Sequence, residues 1–280
     1  MASLAVGPIG VVVGRPGDED VFVDAATVLE DLGYATIWLA GPSISGFEQV
    51  RDVVAATRQV PIAGGVISVD QFDAAEVAAW YAELDATHPG RFIVGLGGAH
   101  GPNPLQTLRT YLDTLDTVPP TVPATARVLA ALGPRMLQMA RERAAGAYPL
   151  LVTPEYTAQA RSLLGDDVAL VVGQFVVVEA DPERARALAR EPLGFMTAGA
   201  GSGYAANLSR MGFGADEIAH VSDRLVDAVV AWGDLDTVAA RISEHLCAGA
   251  DQVALSVLSA DPPSSLPVRQ WQQLARALIS

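Results

Sequence analysis

The sequence has no lysine, and it has a single cysteine among its 280 residues. All 18 basic residues are arginines, which excludes a Schiff-base lysine, a pyridoxal phosphate anchor and the lysine of a P-loop. Cys247 alone cannot form an internal disulfide or a cysteine-based zinc cluster, and such sparse cysteine suits a reducing compartment. These absences predict a cytoplasmic protein without a metal site.

Positive charge and long apolar runs are also scarce. The formal net charge is −14, which argues against a nucleic-acid partner held through its phosphates. The apolar segment from Ala2 to Val13 is interrupted by Gly7, Pro8 and Gly10 and is too short to span a bilayer, so a buried strand is predicted there rather than a membrane anchor. Because half of the residues are hydrophobic and only 18% are charged, a sizeable folded core is expected.

Eight near-continuous apolar segments follow one another along the chain. Continuous rather than alternating hydrophobicity indicates strands that are buried on both faces, as in a parallel sheet. Helical spacing separates the strands, for example from Asp18 to Leu32 and from Asp223 to Trp232. The predicted strands are Leu4–Val13, Ala35–Leu39, Val60–Val66, Phe92–Leu96, Arg127–Ala131, Ala147–Val152, Val168–Glu179 and Val253–Leu258. Eight such units favour an α/β fold of the closed (β/α)₈ TIM-barrel type over an open sheet, in one domain over residues 1–280.

Chemistry in such a barrel lies at the C-terminal ends of the strands, which makes the loop after the fourth strand the first candidate. The segment Gly95-Leu96-Gly97-Gly98-Ala99-His100-Gly101 nearly matches a dinucleotide fingerprint, but His100 stands where the third glycine belongs. His100 is a candidate proton donor or acceptor near neutral pH. The alternative is a tight turn that simply needs small residues. The other three histidines lie in or beside helical segments and are predicted to be structural.

Two further strand ends carry small residues. Gly64 and Gly65 close the third strand, where glycine marks either a close backbone approach to a ligand or tight packing. After the fifth strand, Gly133-Pro134 begins a helix whose N-terminus could face an anion, although proline there is also ordinary helix initiation. The sequence has no Gly-x-Ser-x-Gly, His-Glu-x-x-His or Walker motif. A barrel of this kind is therefore expected to take its reactivity from a bound organic cofactor and to act on a small molecule.

The chain resembles the luciferase-like monooxygenase family. The resemblance rests on 32–38 (LGYATIW), 89–97 (PGRFIVGLG), 128–137 (VLAALGPRML) and 234–257, and it extends over nearly the whole chain. The nearest branch is the actinobacterial one that uses the deazaflavin coenzyme F420, and the arginine-only, alanine-rich composition is consistent with a GC-rich genome. The alternative cofactor is FMN. Membership implies a luciferase-like barrel, an oxidoreductase activity and, by family habit, a homodimer.

The resemblance also implies site residues. A non-proline cis peptide is expected at Gly65-Val66, against the central face of the ring. Gly97, Gly98, His100 and Asn103 correspond to the loop at the ring edge, with His100 as the catalytic residue. The ribityl chain would follow Ala130, Ala131 and Gly133, and the phosphate would lie near Tyr148 and Pro149.

Some positions depart from the family pattern. Gly41-Pro42 stands where many deazaflavin-dependent members carry an acidic residue, and Ala145 replaces the usual aspartate before the sixth strand. The nearest arginines for a phosphate are Arg135, Arg141 and Arg143. Two alternatives to an F420-dependent oxidoreductase therefore stay open: an FMN-dependent monooxygenase, and a non-catalytic barrel that has lost its cofactor.

Overall fold

A ring of parallel strands forms the centre of the molecule. The computed structural model describes residues 4, 6–14, 22–199, 202–260 and 266–279. In this part of the chain the strands are β1 (Ile9–Val13), β2 (Ile37–Ala40), β3 (Ile62–Gly65), β4 (Ile67–Ser68), β5 (Phe92–Gly97), β6 (Arg127–Leu129), β7 (Gly146–Ala147), β8 (Ala169–Val178), β9 (Val230–Gly233) and β10 (Gln252–Val257).

The strand order closes the ring. Neighbours run β10-β1-β2-β3-β5-β6-β7-β8, and β8 pairs with β10 over six residues, so no edge is left open. β4 continues the third barrel strand beyond β3 and pairs with β5 at Ile67 and Ser68. Every pairing is parallel. The predicted (β/α)₈ barrel is therefore confirmed.

Helices connect the strands around the outside. Several begin with proline in the first turn after a capping side chain: Thr153 accepts a hydrogen bond from the Tyr156 amide before Pro154, and Asp181 accepts one before Pro182. The helices are α1 (Phe22–Asp31), α2 (Phe47–Ala56), α3 (Ala74–Thr87), α4 (Pro104–Thr117), α5 (Pro134–Arg143), α6 (Pro154–Leu164), α7 (Pro182–Thr197), α8 (Gly203–Arg210), α9 (Ala215–Ala219), α10 (Asp223–Val229), α11 (Leu235–Cys247) and α12 (Val268–Leu278).

Side chains fill the barrel interior. The rings of Trp38 and Tyr148 meet there with centroids 4.7 Å apart. The Trp38 indole Nε1 donates a hydrogen bond of 2.8 Å to Gln252 Oε1, and Gln252 Nε2 donates one of 2.7 Å to the Gly7 carbonyl. The buried polar atoms of this layer are thus paired, and the barrel is a packed core rather than a pore.

Three predicted boundaries were wrong by several residues, and one of them is that of the sixth strand, which ends at Ala147 rather than at Val152. The first strand begins at Ile9, not at Leu4, and a strand replaces the end of the helix that was predicted to reach Trp232. β9 forms because β8 is ten residues long, so its last residues, Phe175–Val178, continue past its short ladder with β7 and pair with Val230–Gly233. The predicted helix start at Asp18 lies outside the described residues.

The segment from α7 to β9 builds a wall on the C-terminal rim of the barrel. It has an apolar cluster of its own, in which Leu193, Leu208 and Leu225 pack with Phe175 at the end of β8 and with Leu151 after β7. The wall therefore stands beside the strand ends at which barrel chemistry is expected.

Candidate functional site

The third barrel strand ends in a cis peptide. The bond between Gly65 and Val66 is cis, as the resemblance predicted, and it separates β3 from β4. The carbonyl oxygen of Val66 lies against Gly41 at the end of β2, so closely that a Cβ atom built on Gly41 would stand 2.1 Å from it. Residue 41 therefore has no room for a side chain in this arrangement.

Val66, Gly97 and Ala130 come together on the rim. A Cβ atom on Gly97 would lie 2.7 Å from Val66 Cγ2 and 2.8 Å from Ala130 Cβ, so glycine at 97 lets three neighbouring strand ends meet. Gly98 follows with φ +76°, a left-handed conformation that favours glycine. Three predicted residues thus form one floor of small side chains.

His100 lies beside this floor and contacts an aspartate. Its Nδ1 is 3.1 Å from Asp70 Oδ2, and its backbone amide donates a 2.8 Å hydrogen bond to the same oxygen. The His100 side chain is 82% exposed, so the ring is open to a ligand. An imidazole held by a carboxylate can accept or donate a proton at its other nitrogen.

The start of α5 faces an arginine. Gly133 caps this helix without a side-chain hydrogen bond, and the Arg210 guanidinium from α8 lies 3.5 Å from where a Cβ on Gly133 would be. Asn207 Oδ1 accepts a 2.9 Å hydrogen bond from Arg210 and orients it. A helix N-terminus with an adjacent exposed guanidinium is a favourable place for an anion.

Two tyrosines lie between the barrel interior and the wall. Tyr148 is buried, with its hydroxyl 2.9 Å from where a Cβ on Gly173 would lie. Burial raises the pKa of Tyr148, and Tyr204 of α8 adds to the rise. Burial also raises the pKa of Tyr204 to about 12. Both hydroxyls are therefore protonated at neutral pH and act as hydrogen-bonding groups rather than bases.

Two predicted residues are buried and do not present a side chain to this surface. Ala131 is fully buried, and Pro149 is buried with its carbonyl bonded to the Gly173 amide. Any part that these two residues play is through the backbone they shape. Asn103 is exposed at the start of α4, where its carbonyl accepts a hydrogen bond from the Thr107 amide and its side chain makes no capping hydrogen bond.

Sequence reasoning missed Asp70 and Arg210. Asp70 is an exposed loop acid without a motif, and Arg210 is distant from Gly133 in sequence. Two of the three arginines that the sequence did suggest lie away from the start of α5: Arg143 pairs with Asp113 and Asp116 at the far end of this helix, and Arg141 reaches the Leu163 carbonyl. Arg135 is exposed in the first turn of α5 and makes no hydrogen bond or ion pair within the described chain.

Neither a membrane helix nor a metal cluster accompanies this site in the described residues. No helix there is long and apolar enough to cross a bilayer. No group of three or more histidine, cysteine, aspartate or glutamate side chains in the same ranges could hold a metal ion.

Comparison with solved structures shows the same fold in several enzymes. The coenzyme F420-dependent tetrahydromethanopterin reductase of Methanopyrus kandleri matches with a TM-score of 0.73 at 18% identity, over 98% of this chain and 99% of its own. An F420-dependent secondary alcohol dehydrogenase, solved with an F420-acetone adduct, matches with a TM-score of 0.68 at 15% identity, over 100% and 99%. The oxygenating constituent of 3,6-diketocamphane monooxygenase from Pseudomonas putida, in complex with FMN, matches with a TM-score of 0.67 at 13% identity, over 98% of each chain.

Sequence comparison identifies the family. No protein of curated function matches the chain. The family model of the luciferase-like monooxygenases matches residues 106–252, just over half of the chain, a segment that includes β6 to β9 and the wall. With this match and the barrel that carries the cis peptide, the chain belongs to the luciferase-like monooxygenase family.

Proposed function

We propose that this protein is an F420-dependent oxidoreductase that transfers a hydride between the deazaflavin and a small organic substrate. The observation that carries the proposal is the floor of small residues at Val66, Gly97 and Ala130, with the open imidazole of His100 at its side. The F420-dependent structures that match the fold from end to end support the choice of cofactor.

The residues present fit a flat ring with a phosphate-bearing tail. A Cβ atom on Gly97 would have neighbours within 2.8 Å on two sides, so a larger residue at this position would rearrange the floor. Arg210 and the open N-terminus of α5 supply a cation and backbone amides for the phosphate. Bound in this place, a deazaflavin supplies hydride transfer at a carbon of its central ring.

The protein's own residues would position the reactants and move a proton. His100 holds or releases the proton that accompanies reduction or oxidation of the substrate, at the ring nitrogen that Asp70 does not contact. Tyr204 and the wall of α7 to β9 exclude water from one side of the floor. The substrate is a small organic molecule of a size that fits between the floor and this wall.

An FMN-dependent monooxygenase is the second candidate. The fold match to the FMN-bound diketocamphane monooxygenase constituent favours it, and the same floor and arginine would serve a flavin phosphate. The two functions differ in their use of oxygen. Oxygen consumption with a flavin reductase and FMN identifies the monooxygenase, whereas anaerobic turnover with F420 identifies the oxidoreductase.

The proposal is tested by turnover with F420 against a panel of small alcohols and carbonyl compounds, in wild type and in His100→Ala. Loss of a general acid or base lowers turnover about 10²–10⁴-fold. The matched control is His88→Ala, because His88 is half-buried at the end of α3, before β5 begins, and the one hydrogen bond of its side chain within the described residues is with Thr87. If His100→Ala turned over as fast as His88→Ala at every pH, His100 would have no such role.

Cofactor affinity gives a second test. Arg210→Gln is expected to weaken binding of either phosphate-bearing cofactor about tenfold, because a charge-assisted hydrogen bond is lost at a partly exposed site. Arg141→Gln removes the same charge at the other end of α5 and should leave the affinity unchanged. Equal affinities of the two variants would exclude the phosphate site at Gly133.

A further inference from the structure

We propose that Asp70 is the positioning residue of His100, fixing both the loop and the tautomer in which the imidazole works. This inference rests on the proposed role of His100 and goes beyond it, because it assigns to an exposed loop acid the control of a proton-transfer group. No sequence motif marks Asp70, so its role follows from the structure alone.

The barrel register brings the two residues together. Ser68 pairs with Gly97 at the last step of the β4–β5 ladder, and the Val69 amide then donates a 2.9 Å hydrogen bond to the Gly97 carbonyl. Asp70 lies two residues after Ser68 in the loop that follows β4, and His100 lies three residues after Gly97 in the loop that follows β5. The two loops are therefore adjacent wherever the ladder forms.

A tight turn holds Asp70 in place. The amides of Gln71 and Phe72 both donate to the Ser68 carbonyl, at 3.1 and 3.0 Å. Phe72 is buried, packs edge-on against Trp80 and has its carbonyl bonded by the Tyr111 hydroxyl at 3.1 Å. The aspartate thus stands on a rigid support, although its side chain is partly exposed.

One carboxylate oxygen makes both contacts with His100. Asp70 Oδ2 accepts from the His100 backbone amide at 2.8 Å and lies 3.1 Å from Nδ1. The hydrogen bond from the backbone amide fixes the glycine-rich loop, and the contact with Nδ1 fixes the rotation of the imidazole ring. No described group bonds the other ring nitrogen, Nε2.

The chemistry of the carboxylate sets the tautomer. An ionised carboxylate only accepts hydrogen bonds, so the neutral imidazole beside it carries its hydrogen on Nδ1. Nε2 is then the unprotonated nitrogen, and it is the atom that can take a proton from a substrate hydroxyl. In the reverse direction the protonated ring returns that proton from Nε2.

The direct test is ¹⁵N NMR of the four histidine side chains in the cofactor-free protein above pH 8, where unperturbed imidazoles are neutral. The His100 signals are assigned by their loss in His100→Ala. Wild type is expected to show His100 with its hydrogen on Nδ1. In Asp70→Ala no carboxylate oxygen is left to accept from Nδ1, so the hydrogen is expected to shift towards Nε2.

Asp73→Ala is the matched control, since it removes the same side chain and charge three residues away, where the side chain makes no capping hydrogen bond. His100 signals that stay the same in Asp70→Ala and Asp73→Ala would overturn the proposal. With substrate and cofactor, Asp70→Ala is expected to lower kcat on the order of tenfold relative to Asp73→Ala, less than the 10²–10⁴-fold of a lost acid–base group. Equal kcat values would also overturn it.

The NMR result needs no cofactor, so it decides the positioning role independently of the proposed function. A wild type that binds neither F420 nor FMN would refute the proposed function and leave the tautomer assignment standing. A bound, active enzyme with an unchanged tautomer in Asp70→Ala would refute the positioning role alone.

Discussion

We expect the buried histidine His245 to lower the stability of the fold at mildly acidic pH, above the pH range in which carboxylates titrate. It is fully buried on α11, where its Nδ1 lies 2.9 Å from Thr157 Oγ1. The Thr157 hydroxyl itself donates to the Thr153 carbonyl, so the imidazole donates from Nδ1 and is left with a buried, unpartnered Nε2. Protonation of Nε2 would place an unpaired charge in the core.

The pKa of His245 is lowered from 6.5 to about 4, chiefly by burial and also by nearby Arg241, while Glu155 opposes the shift. The unfolded chain takes up this proton below pH 6.5, whereas the folded protein takes it up only near pH 4. Because the unfolded state binds more protons in this window, the free energy of unfolding falls as the pH falls. The loss between pH 7.5 and 5 amounts to about 2 kcal/mol, from a ceiling of about 3 kcal/mol.

The perturbation is His245→Asn, which keeps a donor for Thr157 and cannot be protonated. The measurement is urea unfolding, followed by tryptophan fluorescence, at several pH values from 7.5 to 5. This pH range lies above the isoelectric point of about 4.6. We expect the variant to be less stable than wild type at pH 7.5, because ring atoms are lost from the core. Its stability should nevertheless fall by about 2 kcal/mol less than that of wild type over this range.

Thr157→Val separates the two parts of the explanation. Because burial is the main cause of the low pKa, this variant should keep the wild-type pH dependence while losing stability at every pH. The reasoning is refuted if His245→Asn retains the full pH dependence of wild type.

Three further predictions follow from close packing at the rim and in the barrel. Gly41→Ala places a Cβ 2.1 Å from the Val66 carbonyl and should cost about 1–3 kcal/mol in thermal unfolding, whereas Gly203→Ala, with nothing within 4 Å at the first residue of α8, should not destabilise; equal melting temperatures would contradict this. Trp38→Phe leaves the buried Gln252 Oε1 without its 2.8 Å donor and should cost about 1–3 kcal/mol in urea unfolding; no loss would show that the bond contributes nothing. Gly97→Ala should weaken cofactor binding, measured by fluorescence titration, because its Cβ would lie under 3 Å from two neighbours on the floor; unchanged affinity would place the cofactor elsewhere.

The barrel could be predicted from the sequence because its strands are buried on both faces. The run of β8, Ala169–Val178, is almost wholly apolar, and only a strand in a closed or covered sheet has that pattern. β9 could not be predicted in the same way. Its residues follow α10 without a break in hydrophobicity, and their extended form depends on the long end of β8, whose paired residues lie 55 positions earlier in the sequence.

The site was only partly predictable. Gly65-Val66, Gly97 and His100 lie at strand ends, and their positions follow from the fold together with the family resemblance. Arg135, Arg141 and Arg143 were suggested as the arginines nearest a phosphate. Arg135 does lie at the start of α5, whereas a ten-residue helix puts about 15 Å between that end and Arg143. Arg210 also lies at the start of α5, because the wall folds back over the rim, a tertiary arrangement without a local signal in the sequence.

The most direct test of the account is a fluorescence titration of the purified, cofactor-free protein with oxidised coenzyme F420 and, separately, with FMN. The account predicts saturable binding of F420 in the micromolar range, weaker in Arg210→Gln than in Arg141→Gln. Preference for FMN would contradict the proposed cofactor and support the monooxygenase. Binding of neither at high concentration would contradict the central claim that the rim of this barrel holds a flavin-like cofactor.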